Sequence, residues 1–262
     1  LKILAENISF AYKRENLILN DVSLEVNSGE IVCMLGPNGT GKTTMLRCLL
    51  GFNKALKGKI TIDGKQMSSL GFKNRAKCLA YVPQYSSLSF PYTVKEVILM
   101  GRTAYLSYGM PFSKDDYEFA MKTIERLGIS NMSNCLYNEL SGGQKQMVLL
   151  ARALAQDAKI LIMDEPTANL DYSNQVKMLE TIKQLVQEGY GILMTSHFPD
   201  HAFLTESRVI LMKGGKKLYD GNPNEVITSE ILTNLYQTSV EVSEINVKAY
   251  DKNIKVCIPI LK

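Results

Sequence analysis

Residues 36–44, Gly36-Pro37-Asn38-Gly39-Thr40-Gly41-Lys42-Thr43-Thr44, follow the spacing Gly-x-x-x-x-Gly-Lys-Ser/Thr. In a loop between a strand and a helix, that spacing makes a cradle for a polyphosphate. The glycines let the backbone turn successive N–H groups inward, and the helix N-terminus behind them adds partial positive charge. Lys42 can then reach β- and γ-phosphates, and the Thr43 hydroxyl can ligate magnesium. A second feature is Asp164-Glu165, directly after the apolar run Ile160-Leu161-Ile162-Met163. One acid at such a strand end can hold magnesium, usually through water, and the next can orient the water that attacks a γ-phosphate. Taken alone, two neighbouring acids also read as solvated or capping groups; the loop upstream favours the chemical reading. The third is Leu140-Ser141-Gly142-Gly143-Gln144. Ser141 and Gln144 have the Ser-x-x-Gln spacing of a capping box. The Gly-Gly pair costs helix stability and exposes N–H groups as a second anion nest. Two such nests in one small domain suggest that one of them serves a partner's nucleotide.

These groups need a sheet to bring them together. The stretch 30–35 reads as a buried strand before the loop and 43–50 as the helix after it, with Gly51 as the stop. Residues 1–26 alternate like an antiparallel strand layer, and 58–65 reads as a strand ending in an Asp-Gly turn. The strand 78–82 runs into Pro83-Gln84, where a loop begins. Helices follow at 94–100 and at 114–128, the latter with Phe119, Ile124 and Leu127 on its apolar side. A helix from Gly142 to about Ala155, the strand 160–163, a helix of roughly 173–188 carrying Val176, Leu179, Ile182 and Val186, and the strand 191–195 complete an α/β pattern. Near-continuously apolar strands alternating with helices predict a parallel sheet covered on both faces. A hairpin is expected around Lys213-Gly214-Gly215-Lys216, and a smaller one in the tail.

The 262 residues are 45% hydrophobic, ordinary for a globular chain with a large core. A net charge of +4, with no basic run, gives no argument for nucleic acid. Five cysteines without a Cys-x-x-Cys pair fit free thiols in a reducing cytoplasm. No signal peptide is evident, and no apolar run approaches the roughly 18 residues of a spanning helix. Action at a membrane would need another chain to supply the span.

The order and spacing of these motifs resemble the nucleotide-binding subunit of an ABC transporter, over about residues 1–225. The resemblance implies an α/β fold of the P-loop NTPase, ABC-type class, with an antiparallel β layer, a helical insertion at about 86–155, and a C-terminal extension over 226–262 formed by a helix and a small β hairpin. It implies ATP and Mg²⁺ as ligands and ATP hydrolysis as the activity. Tyr12 then resembles the aromatic that stacks on adenine. Gln84 resembles the loop glutamine that contacts magnesium and the attacking water. Ser141, Gly142 and Gly143, with Gln144, resemble the signature that closes on ATP held by the opposite protomer. Asp171, in Ala168-Asn169-Leu170-Asp171, resembles the fixed acid of the loop that communicates across the dimer, and His197 resembles the switch histidine on the γ-phosphate. His201 matches no role and is read as structural. Thr43, Gln84 and Asp164 would serve magnesium, and Lys42, Gln84, Glu165 and His197 catalysis. The implied partners are a second copy in a head-to-tail ATP sandwich, integral-membrane permease subunits and, indirectly, a substrate-binding protein, at the cytoplasmic face of the membrane.

The stretch Val94-Lys95-Glu96-Val97-Ile98-Leu99-Met100-Gly101-Arg102, followed by Leu106 and Pro111, is similar to importers of iron–siderophore, haem, cobalamin and sometimes molybdate. Gly101-Arg102 reads equally as a capped helix end. Iron-chelate cargo ranks first on this resemblance. A soluble ABC ATPase acting on ribosome or DNA, and a P-loop kinase, are the readings from other classes; the Leu-Ser-Gly-Gly-Gln nest favours the transporter ATPase.

Overall fold

The computed structural model describes residues 1–13, 16–86, 88–107, 109–248 and 252–261. Twelve strands are found among them: β1 (Lys2–Phe10), β2 (Leu19–Asn27), β3 (Ile31–Leu35), β4 (Lys57–Ile62), β5 (Lys65–Gln66), β6 (Leu79–Val82), β7 (Ile160–Met163), β8 (Gly191–Ser196), β9 (Arg208–Lys213), β10 (Lys216–Gly221), β11 (Val240–Val247) and β12 (Lys252–Pro259). A six-stranded sheet has the order β10-β9-β3-β8-β7-β6, parallel except for the antiparallel edge strand β10. A four-stranded antiparallel sheet, β2-β1-β4-β5, forms the other layer.

The two-residue period of the inner strands divides the core. Ile31, Cys33 and Leu35 face a core built with the helices, whereas Val32 and Met34 face a core shared with the antiparallel sheet. Leu161 and Met163 against Ile160 and Ile162, and Val209 and Leu211 against Ile210 and Met212, divide in the same way. Alternate side chains of a strand point to opposite faces, so a strand apolar at every position must be covered on both. The helix Lys42–Leu49 puts Met45, Leu46, Cys48 and Leu49 into the second core and ends before Gly51 at φ +75°. The strand expected to end in an Asp-Gly turn is β4, and Asp63 and Gly64, both at positive φ, turn it into the short partner strand β5.

Between β6 and β7 the helices Val94–Leu99, Lys114–Arg126 and Gly142–Ala155 pack together. Two sequence expectations shift here. The helix Lys114–Arg126 buries Asp116, Ala120, Thr123 and Ile124, leaving Phe119 and Leu127 half-buried. On the same buried face Arg102 Nε donates to Asp116 Oδ1 at 3.0 Å, with side chains 11% and 9% exposed. Gly101 is equally interior, since a Cβ there would lie 2.2 Å from the Arg152 carbonyl oxygen. Gly101-Arg102 is therefore a packing element between helices. The helix Tyr172–Gln187 turns inward Met178, Leu179, Ile182 and Leu185; Val176 is exposed and Val186 half-buried. Period 3.6 fits either face, and contact with the sheet selects the one used.

Strands β11 and β12 pair in register from Val240–Pro259 to Val247–Lys252. The hairpin is tied to the helix Asp200–Thr205 by the Cys257 N–H donating to Asp200 Oδ1 at 2.8 Å, and to the helix Ser229–Tyr236 by the Val242 N–H donating to Ser229 Oγ at 2.8 Å.

Candidate active site

The phosphate loop links the end of β3 to the helix Lys42–Leu49. A Cβ on Gly36 would sit 2.3 Å from the Met212 carbonyl oxygen, and Gly41 holds φ +96° with a would-be Cβ 2.9 Å from the Ile18 carbonyl oxygen. Both positions accept only glycine, which keeps the loop tight enough for its N–H groups to converge. Lys42 is 6% exposed and its ammonium donates to the carbonyls of Gly36 (2.5 Å) and Pro37 (3.1 Å); the Thr40 hydroxyl also donates to Pro37 O, at 3.0 Å. Burial lowers the Lys42 pKa, opposed by the nearby charges of Glu165 and Asp164. Lys42 thus lies between the loop and the acids. Lys42→Ala should weaken ATP binding about 10- to 100-fold, the loss of one or two charge-assisted hydrogen bonds, as read by titration with a fluorescent ATP analogue.

The acids lie beside the loop, joined to its helix through Thr43. Asp164 follows β7, is 5% exposed, and donates its backbone N–H to Val82 O at 2.9 Å. Its Oδ1 accepts from the Thr195 hydroxyl at 2.8 Å and from the Thr43 hydroxyl at 3.2 Å. Tyr81, half-buried on β6, has its phenol pushed up to about 12 by burial, with the Asp164 charge adding to it. Glu165 holds φ +47°, a left-handed conformation that costs a non-glycine residue about 1–3 kcal/mol and clusters at functional sites. Its Oε1 lies 2.5 Å from His197 Nε2, and its Oε2 accepts from Gln84 Nε2 at 3.0 Å. Lys42, Thr43, Gln84, Asp164, Glu165 and His197 therefore form one site. The Thr43 hydroxyl and Asp164 carboxylate supply hard oxygen donors, which fit magnesium rather than a metal that prefers nitrogen or sulfur ligands.

The remaining sequence candidates lie apart from this cluster. Ser141 caps the helix Gly142–Ala155 with the full capping box: Gln144 N–H donates to Ser141 Oγ at 3.3 Å and Ser141 N–H to Gln144 Oε1 at 2.9 Å. A Cβ on Gly143 would be 2.7 Å from the Asn174 side chain. Asp171 caps the helix Tyr172–Gln187, accepting from Asn174 N at 2.8 Å. Among the described residues no hydrogen bond joins 141–144 to the phosphate loop or to the acids. Ser141 and Gly142 are exposed, whereas Gly143 is buried beside Asn174. Tyr12 is 60% exposed, its ring edge-on to Phe10 at 4.9 Å. The Asn53 amide donates to its hydroxyl at 3.4 Å and lowers its pKa, with Thr44 and Arg47 of the loop's helix also near. His201 is buried with Nδ1 3.0 Å from Ser196 Oγ, and burial lowers its pKa to about 4. It is a neutral core group.

Three contacts escape the sequence reading. Thr195 joins both acids, the Asn169 amide donates to the Tyr85 hydroxyl at 2.6 Å, and Gln146 donates to Pro83 O at 3.4 Å. Each joins segments more than 30 residues apart except the Thr195 bridge, whose partners lie 30 and 31 residues away. Only Thr195 carried a sequence signal, a hydroxyl residue at the end of an apolar strand beside the one that carries the acids.

An ABC transporter family model matches residues 19–168. An iron chelatin transport ATP-binding protein of Helicobacter pylori is 36% identical over 239 residues, 90% of this chain and 93% of the relative. The molybdate import ATP-binding protein MolC of Haemophilus influenzae is 33% identical over 88% of this chain and 86% of its own length. A solved metal-chelate type ABC transporter in an inward-facing conformation superposes with a TM-score of 0.88 at 29% identity, over 99% of this chain and 98% of that one. No helix among the described residues is long and apolar enough to cross a membrane. The match to the family model over more than half of the residues, and relatives above 30% identity along nine tenths of the sequence, establish that the chain belongs to the ABC transporter family, as one of its ATP-binding subunits, the ATPases that power transport.

Proposed function

We propose that two copies of this chain close head-to-tail over two ATP molecules and drive a metal-chelate importer from the cytoplasmic face of its membrane. The observation that carries the dimer is the exposed Ser141-Gly142 helix start, which among the described residues makes no hydrogen bond to the chain's own phosphate loop. Each site then takes Lys42, Thr43, Gln84, Asp164, Glu165 and His197 from one protomer and Ser141, Gly142 and Gly143 from the other. Gln144 and Asp171 shape that second half by capping, and Tyr12 offers its free face to adenine. Thr43 and Asp164 would hold magnesium, directly or through water, with Gln84 beside them. When bound, the metal neutralises charge on the transferring phosphoryl group.

Hydrolysis here is positioning and charge stabilisation. Lys42 turns from the carbonyls of Gly36 and Pro37 to the phosphate oxygens. Glu165 exchanges its contacts with His197 and Gln84 for the attacking water and accepts its proton. His197, freed, donates toward the γ-phosphate. Water adds to the γ-phosphorus as its bond to the β-phosphate oxygen breaks, giving ADP and phosphate; the γ-phosphate no longer bridges the halves, and their separation is the stroke passed to the permease.

The cargo reading follows from likeness to proteins named for iron chelatin and metal chelate. A molybdate importer is the second reading, because MolC is similar over most of the chain. The test is to purify the chain with candidate permeases in lipid nanodiscs and measure ATPase activity against binding proteins loaded with ferric chelate, haem, cobalamin or molybdate. Stimulation several-fold by the ferric-chelate form alone is expected. Stimulation by molybdate alone would replace the cargo, and failure to join any permease, with hydrolysis stimulated by ribosomes or DNA, would overturn the transporter role.

A further inference from the structure

We infer that Thr195 is a positioning residue for ATP hydrolysis, its buried hydroxyl bridging Asp164 and Glu165 so that the glutamate is held at its left-handed turn. The inference rests on the proposed role of Glu165 in orienting the attacking water. The parallel ladder between β7 and β8 ends at the pair Met163–Met194. Glu165 lies just beyond it and turns to φ +47°. Its N–H then goes to a side chain, donating to Thr195 Oγ1 at 2.8 Å. Thr195 is 0% exposed, and its one hydroxyl proton goes to Asp164 Oδ1 at 2.8 Å. A hydroxyl can accept and donate at once, and here both capacities are used.

The consequence is geometric. Asp164 Oδ1 is also the atom that meets the Thr43 hydroxyl at 3.2 Å, so one side chain sets the distance from the phosphate loop to the metal-side acid and the backbone turn of the water-side acid. A positive φ on a glutamate persists only where its surroundings over-determine it. Thr195 supplies that constraint from the neighbouring strand. Serine can make both bonds, whereas valine fills the same space and makes neither, leaving the Glu165 N–H without that acceptor.

The test compares Thr195→Val, Thr195→Ala and Thr195→Ser with Glu165→Gln and the double variant Glu165→Gln/Thr195→Val. Affinity for a fluorescent ATP analogue, single-turnover and steady-state hydrolysis of Mg-ATP, and amide hydrogen exchange at Glu165 in the nucleotide-free protein are measured for each. Thr195→Val should lower kcat about 10- to 100-fold, the scale on which small misplacements of a catalytic group act, with KM and nucleotide affinity within about threefold. Its Glu165 amide should exchange faster, Thr195→Ser should restore kcat and exchange, and the double variant should be no slower than Glu165→Gln. If the valine variant does not fold, the alanine variant carries the same expectations. A wild-type kcat in either soluble variant, unchanged exchange, or parallel loss of affinity and kcat would overturn the inference. An active Glu165→Gln would instead overturn the role of the glutamate, so the two failures are distinguishable.

Discussion

Glu165→Gln is expected to cut steady-state ATP hydrolysis by roughly 10²- to 10⁴-fold, the usual contribution of a general base, while ATP affinity stays within about threefold. The amide is nearly isosteric and keeps one acceptor oxygen for the Gln84 amide now 3.0 Å from Oε2. The backbone bond from Glu165 N–H to Thr195 is untouched, so the turn at φ +47° persists. Lys42, Thr43 and Asp164, the groups aimed at phosphate and metal, are unaltered. What disappears is a carboxylate able to take a proton from water. Binding without turnover should therefore hold the ATP-bound dimer closed, visible as an ATP-dependent shift to twice the mass in size-exclusion chromatography with light scattering. Turnover within tenfold of wild type would mean that another group activates the water.

The second large effect concerns stability. Asp116→Ala should destabilise the folded chain by about 3–5 kcal/mol, the usual cost of stranding one member of a buried ion pair, measured by urea denaturation at neutral pH. Asp116 answers two sets of donors. Its Oδ1 accepts from Arg102 Nε at 3.0 Å, and its Oδ2 accepts from the Ser113 N–H at 3.0 Å and hydroxyl at 2.7 Å. Arg102 is enclosed by the Tyr105 and Phe119 rings, 3.8 and 4.5 Å from its guanidinium carbon, and donates to Ala155 O at 3.0 Å. Without Asp116 that cation stays buried among aromatics and one carbonyl. Arg102→Met/Asp116→Ala should recover part of the loss, because the uncompensated charge is then gone. Burial works to raise the Asp116 pKa, but the Ser113 bonds and Arg102 outweigh it and hold the carboxyl below its ordinary value. A depressed folded-state pKa adds stability above the unfolded value near 4. That contribution is lost as pH falls through the lowered one, and Asp116→Ala should show less of this acid sensitivity.

Arg102 marks where reading residues in order runs out. As part of Gly101-Arg102 it was legible as a family-like stretch or a helix end, yet its partner Asp116 and the Phe119 ring lie in a different helix, with only Tyr105 in its own segment. An ion pair across a fold has no period and no fixed spacing, so nothing in the order of residues announces it. In the helix containing Asp116 the apolar pattern places Ile124 in the core and Leu127 against it, but a charge buried on that same face has no place in such a pattern. The tight groups were legible because their chemistry is local. Gly36 through Thr44 close one loop on one helix, Ser141 and Gln144 cap three residues apart, and Asp63-Gly64 and Gly214-Gly215 turn hairpins within themselves.

By itself the sequence determined the strands covered on both faces, the phosphate loop, the pair of acids and the capped Gly-Gly nest, since each is set by covalent neighbours and a period of 2 or 3.6. Only the tertiary structure decided that Thr43 and Thr195 share one oxygen of Asp164, that His197 and Gln84 each take one oxygen of Glu165, and that Ser141 and Gly142 stay exposed. Those relations depend on the order β3-β8-β7-β6, which sets strand ends from four separate parts of the chain side by side. Side chains 30 to 121 residues apart in sequence are thereby brought within hydrogen-bonding distance.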